Sequence, residues 1–236
     1  MKKIITISLI LTASLTTWSC KDILEAPTKS SLDESVIFST PSLAEGVIPG
    51  IIQSFGETNS YRGRYLVYYG TNTDVEVYSS LKAINDDKSR LGNYNTNVEN
   101  DQMNTDNNAW AKFYEGIERA NMAIRGLRNY GNVENNPAMA QVLGEVLVLR
   151  AVLYNDLIKG WGDVPARFEP ITTETTYLPR ADRDVIYKQL LADLDEAAGL
   201  LPWPNESNAT RSVERVSKAF AKGLRARLAL AAGGYA

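Results

Sequence analysis

NAWAKFYEGIERANMAIRGLRNY at 108–130 and PAMAQVLGEVLVLRAVLYNDLIK at 137–159 decide the fold. In the first, Trp110, Phe113, Tyr114, Ile117, Asn121, Ile124 and Leu127 recur every three or four residues. That spacing collects them on one face of an α-helix. In the second, Val142, Val146, Leu149, Leu153 and Leu157 do the same, with Gly160 as the expected stop. Asn135-Asn136-Pro137 separates the two stretches. Asn136 is a good N-cap, and Pro137 suits the first helical position, where its missing N–H has no partner to lose. A short connection between two long amphipathic helices predicts an antiparallel hairpin.

Working downstream, Trp161-Gly162-Asp163-Val164-Pro165 is expected to reverse the chain, because Gly and Pro there cannot continue a helix. An extended loop is expected to run to about Arg180. Asp182 then caps a third helix carrying Ile186, Leu190, Leu191, Leu194, Ala197 and Leu201. Leu201-Pro202-Trp203-Pro204 ends it. Ser217 opens a last helix with Ala219, Phe220, Ala221, Leu224, Leu228 and Ala231, closed by Gly233-Gly234. Two helical hairpins with long inserted loops make an all-α, tetratricopeptide-like arrangement, although the strict repeat period of that class is missing.

Upstream, Thr40-Pro41 marks a helix start, and Leu43, Val47, Ile48, Ile51, Ile52 and Phe55 share a face. Pro49 is expected to kink or shorten that helix. Residues 57–108 read as loops. Tyrosines gather at Tyr61, Tyr65, Tyr68, Tyr69 and Tyr78, and asparagine dominates from Asn93 to Asn108. The alternation at Val75–Tyr78 allows one short strand.

The first nineteen residues read as a signal peptide: Lys2 and Lys3 precede an apolar run, Ile4 to Trp18. Ser19 stands before Cys20, the one cysteine of the chain. Cleavage there leaves Cys20 as the mature N-terminus and the expected site of acylation, although Thr17 and Trp18 differ from the usual aliphatic and small residues. Residues 20–40 are then a lipidated tether, and 41–236 the helical domain. No later segment is expected to cross a membrane.

Composition narrows the chemistry. The 236 residues are 44% apolar and 22% charged, which is globular, and the net charge of −3 offers no general field for nucleic acid. There is no histidine. That excludes Ser-His-Asp and Cys-His nucleophilic sites and His-ligated zinc. One cysteine makes no cluster for zinc or iron–sulfur. No cofactor and no catalytic or metal-binding residue is assigned. Asp74, Glu76, Asp86, Asp87, Asp101 and Asp106 lack calcium-loop spacing and read as solvated acids.

A set of phrases adds a family resemblance. Trp110-x-x-x-Tyr114-x-x-Ile117-x-x-Ala120-Asn121-x-x-Ile124 comes first, then Glu145-x-x-x-Leu149-Arg150-Ala151-x-x-Tyr154. Gly160-Trp161-Gly162-Asp163-Val164-Pro165, Pro179-Arg180, Val185-Ile186-Tyr187, Asp193-Leu194, Leu201-Pro202 and Arg215-Val216-Ser217-Lys218 follow. In order and spacing they resemble the SusD/RagB family of outer-membrane nutrient-binding lipoproteins. The resemblance implies a helical body on tetratricopeptide-like hairpins, anchored by lipid at the extracellular face. It also implies a lid over a TonB-dependent transporter of the SusC type, with oligosaccharides, or in some members peptides, as ligands. Members of that family are considerably longer, so the resemblance implies that the chain is an N-terminal fragment or a truncated gene product.

Single residues carry two readings each. Trp110, Tyr114 and Tyr154 lie on periodic faces and read as core; Trp161 and Asp163 read as a turn. Arg150, inside an apolar helix, needs a buried acid, with Glu145 and Asp156 as candidates. For ligand binding, Tyr69, Asn72, Asp74, Tyr78 and Tyr94 are the candidates. Sugars stack apolar faces on aromatic rings, and their hydroxyls seek Asn and Asp. The rival reading packs these tyrosines under loops. The expected function is glycan binding without catalysis. A peptide-binding helical scaffold and a glycosidase with two carboxylates are the alternatives.

Overall fold

The computed structural model of the chain describes residues 33–56, 73–76, 108–206 and 215–233, with Arg90, Asn97 and Asn100. In chain order its elements are α1 (Glu34–Ile37), α2 (Pro41–Ala44), α3 (Val47–Gly56), α4 (Ala109–Tyr130), α5 (Pro137–Trp161), β1 (Val164–Pro165), β2 (Arg180–Ala181), α6 (Arg183–Leu200) and α7 (Lys218–Ala231). Helix α5 packs against both α4 and α6, α6 against α7, and α3 against α4. The fold is the expected all-helical hairpin array.

Local chemistry sets the helix ends. Asn108 Oδ1 accepts from the Ala111 N–H at 2.8 Å and Asn136 Oδ1 from that of Met139 at 3.3 Å. Asp182 accepts from Asp184 at 2.8 Å, and the Ser217 hydroxyl from Phe220 at 3.4 Å. Each cap satisfies a first-turn donor that the helix itself leaves unpaired. Helix α5 runs past Gly160 and stops at Gly162, whose φ of 74° is readily adopted only without a Cβ.

The core stripe on α5 is wider than the five aliphatics of its periodic pattern. Leu143, Leu147, Val148, Ala151, Tyr154 and Ile158 are buried as well. A central helix is covered on several sides and so is apolar on most of its circumference. By length and composition alone α5 also suffices to cross a membrane, contrary to the expectation for segments beyond the leader. It carries buried Glu145 and Arg150, and most of its surface lies against other helices.

The N-terminal helix differs from its expected form. It breaks at Glu45–Gly46 into α2 and α3, and Pro49 falls in the first turn of α3, where no N–H is required. Ile48 and Ile51 are buried, but Leu43 and Ile52 face outward. Residues 34–38 belong to the folded body and not to a free tether. Phe38 is buried and packs on α4 at Gly126, where a Cβ would sit 2.0 Å from its ring. A second close approach lies at Gly116, against Ser54 of α3. On α7 only Ala221 and Leu228 of the predicted stripe are buried, while Phe220 is half exposed.

Candidate ligand-binding groove

Between α5 and α6 the chain makes a strap, residues 162–182. Its ends are clamped by a two-stranded antiparallel ribbon, Val164 opposite Ala181 and Pro165 opposite Arg180. The expected extended loop is therefore present, with this short ribbon added. Asp163, read as part of a structural turn, accepts from the Arg183 N–H at 3.3 Å and so ties the two ends together.

Buried polar groups hold the strap from beneath. Arg150 Nη1 donates to the Phe168 carbonyl at 3.0 Å and to Asn121 Oδ1 at 2.8 Å. The Asn121 amide in turn donates to the carbonyls of Arg167, at 3.1 Å, and Glu169, at 3.2 Å. Tyr154 Oη donates to the Arg167 carbonyl at 2.7 Å and accepts from the Arg167 N–H at 2.5 Å. Tyr114 Oη donates to the Pro165 carbonyl at 2.8 Å. Burial pushes both phenols well above the ordinary tyrosine range, so they stay neutral and keep donating.

The acid that balances Arg150 is Asp193 of α6, not Glu145 or Asp156. Residues five or six apart on a helix point away from each other, whereas the facing helix presents Asp193 directly. Glu145 is fully buried and instead takes two hydrogen bonds from Arg215, each at 2.7 Å. Asp156 accepts from the Asn155 amide at 3.1 Å. Asn121, counted in the apolar stripe, is a buried polar hub between α4, α5 and the strap.

Above this platform lies an open groove of about 720 Å³. Trp110, Ala111 and Tyr114 from the first turns of α4 form one wall. Pro165, Arg167 and the run Thr176–Pro179 form the other. Trp110 is half-buried and not fully core. Its ring stands edge-on to Trp161 at 5.6 Å and lies 5.1 Å from Tyr114. Neighbouring rings thus hold it in place. Tyr177 is 93% exposed, so packing does not account for it. Arg167 donates to the carbonyls of Thr175, at 2.7 Å, and Thr176. Among the described residues no carboxylate pairs with its guanidinium.

Of the sequence-predicted site residues, Asp74 is exposed in a bend with Thr73 and Val75, and Val75–Glu76 form no strand. Cys20, Tyr69, Asn72, Tyr78 and Tyr94 lie outside the described residues. The groove residues Arg167 and Tyr177 were not among the candidates. A signal for Tyr177 existed: Thr172-Thr173-Glu174-Thr175-Thr176-Tyr177 is a polar loop with one aromatic ring, the same composition that marks the tyrosine loops upstream.

The model of a SusD-like family described as "Starch-binding associating with outer membrane" matches residues 44–230. The chain belongs to this SusD-like family. It is 26% identical over 194 residues to SusD-like protein P25 of Formosa agariphila, and 27% over 181 residues to SusD-like protein P38 of the same organism. Each match covers 76% of this chain and 34% of the relative, so the chain spans about a third of the length of these curated relatives. Solved structures share the fold. A SusD homolog from Bacteroides thetaiotaomicron gives a TM-score of 0.68 at 20% identity, covering 88% of this chain and 39% of that one. A laminarin-binding SusD-like protein gives 0.60 at 22%, with 80% and 39% covered. Surface glycan-binding protein A from Bacteroides uniformis gives 0.61 at 19%, with 81% and 42% covered.

Proposed function

We propose that the protein is a cell-surface lipoprotein that binds oligosaccharides and passes them to a TonB-dependent transporter of the SusC type. The family match over residues 44–230 carries this reading. The family's description names starch binding and the outer membrane; of two proteins of the same fold, one is named for binding laminarin and the other as a surface glycan-binding protein. The groove adds chemical support. Rings of Trp110 and Tyr177 beside hydrogen-bonding groups suit a sugar, which is apolar on its faces and polar at its edges. Cys20 is the proposed lipid anchor, placing the helical body at the extracellular face. Binding without catalysis is the proposed role: among the described residues the groove's lining contains no carboxylate, whereas glycoside hydrolysis uses two of them flanking the bond.

Calorimetric titration of the whole mature chain against a panel of oligosaccharides tests the reading. Saturable binding of at least one member at micromolar to millimolar Kd is expected. A folded chain that binds none of the panel and instead binds peptides would overturn it.

A further inference from the structure

We infer that the groove beneath Tyr177 selects an anionic sugar residue, a uronate or a sulfate ester, through Arg167; this rests on the glycan-binding reading above. The whole chain is net negative, at −3. Yet among the described residues the lining of this groove contains one formal charge, the Arg167 guanidinium, and it is positive. Two of its N–H groups are given to main-chain carbonyls of Thr175 and Thr176, which fixes the plane of the fork without neutralising it. Of the acids nearest in sequence, Asp163 accepts from the Arg183 N–H at 3.3 Å, Glu174 accepts from the Thr172 hydroxyl at 2.7 Å, and Glu169 is exposed. None of the three lines the groove.

The Trp110 indole N–H is a further donor, and the Tyr177 hydroxyl can donate or accept. No group hydrogen-bonds the Trp110 indole N–H or the Tyr177 hydroxyl among the described residues. The first turn of α4, a helix of 22 residues, abuts the groove at Trp110 and Ala111, and a helix N-terminus carries partial positive charge. An uncompensated guanidinium flanked by the indole N–H and a hydroxyl able to donate is complementary to an acceptor-rich anion, and an arginine fork matches carboxylate and sulfate alike. The exposed Tyr177 and the braced Trp110 supply faces for the pyranose ring. A neutral glucan satisfies the rings but leaves the guanidinium without a counter-charge.

The test is calorimetry on the full chain with three probes of equal length: an oligogalacturonate, a sulfated galactan oligosaccharide and a neutral β-glucan oligosaccharide. At least one anionic probe is expected to bind about tenfold tighter than the neutral one, the scale of one hydrogen bond to a charged group. Which of the two binds separates carboxylate from sulfate. Arg167→Gln should bring the preference down to about twofold or less, and raising salt from 50 to 500 mM should weaken the anionic probe alone. Tyr177→Ala, at a position too exposed to disturb the fold, should weaken the same probe several-fold. Should Arg167→Gln unfold, the salt response and Tyr177→Ala still decide. Neutral and anionic probes binding equally, or an anionic affinity unmoved by Tyr177→Ala, would overturn this inference and leave glycan binding standing. Binding of none of the three probes by the folded chain removes this inference, whereas the glycan-binding reading falls only with the wider panel.

Discussion

Asp193 on α6 accepts two hydrogen bonds from Arg150 on α5, at 2.6 and 3.2 Å, with each side chain no more than 3% exposed. The pair stands 43 residues apart in sequence and joins the two helical hairpins through their centre. Gln189 gives Asp193 a further hydrogen bond at 2.8 Å, and Arg150 faces the Phe168 ring at 5.1 Å. So the desolvated charges are fully occupied. Removing one partner strands the other charge, which typically costs about 3–5 kcal/mol. Arg150→Met is therefore expected to lower unfolding stability by that order in urea titration. Adding Asp193→Leu should recover much of the loss, because two apolar groups replace the pair. A double variant no more stable than Arg150→Met alone would show that the cost lies in the Asn121 and Phe168 contacts.

Asp156 gives a pH dependence. Burial pushes its carboxyl up to about 6, and Lys159 offsets only part of that. An unfolded aspartate titrates near ~3.9. Between these values the folded chain holds a proton that the unfolded chain has lost. Stability from this group is therefore greatest below the unfolded value and falls as pH rises through about 6. Asp156→Asn should abolish that decline and raise stability at pH 7 by about 1–2 kcal/mol, allowing for residual solvent contact. Thermal melts of both proteins from pH 4 to 8 measure it. Parallel curves would contradict the assignment.

The contact between α1 and α4 predicts a steric penalty. A methyl at Gly126 meets the Phe38 ring, and a ring cannot yield as a flexible side chain can. Gly126→Ala is expected to cost about 1–3 kcal/mol despite the better helix propensity of alanine. In a Phe38→Ala background the same change should be neutral or stabilising. A matching penalty in both backgrounds would place its origin away from Phe38.

What was legible in the sequence follows from range. Caps and periodic faces are encoded within a few residues, so Asn136, Asp182 and Ser217 reveal their helices unaided. Partners across helices are not. Arg150 announces its need for an acid, but Asp193 becomes its neighbour only once the hairpins pack. The groove is the same case. Trp110 reads as core from its spacing, yet it sits at the start of α4, where the strap covers it only in part. Arg167 and Tyr177 meet it through a ribbon two residues wide, too short to show a period.

Anchoring is predicted from chemistry at the N-terminus. Cys20 is the one thiol in the chain, placed after a basic and apolar leader. Each buried methylene of an acyl chain contributes about 0.8 kcal/mol, so several chains give stable attachment. Cys20→Ala should move the protein from the membrane fraction to the soluble fraction after a high-salt wash. Membrane association that survives the change would assign attachment to another feature.

Two regions are candidates for contacting the proposed sugar: the groove and the tyrosine-rich stretch upstream. Tyr69, Asn72, Asp74, Tyr78 and Tyr94 are proposed from composition, since rings and amides concentrate between helices where rigid scaffolds carry their binding loops. Tyr177 and Arg167 are proposed from geometry. One stacked ring contributes about 1 kcal/mol, so a single loss weakens binding several-fold and does not abolish it. If both regions contact one ligand, Tyr78→Ala and Tyr177→Ala should each reduce affinity for the same oligosaccharide. Additive effects in the double variant would mark two independent contacts, and a departure from additivity a coupled one. If they hold separate ligands, each change should affect a different probe in the panel. Helix content by circular dichroism guards against misfolding in every variant. A Tyr78→Ala and Tyr94→Ala pair that leaves all affinities unchanged would reduce the upstream tyrosines to packing residues and leave the groove as the site.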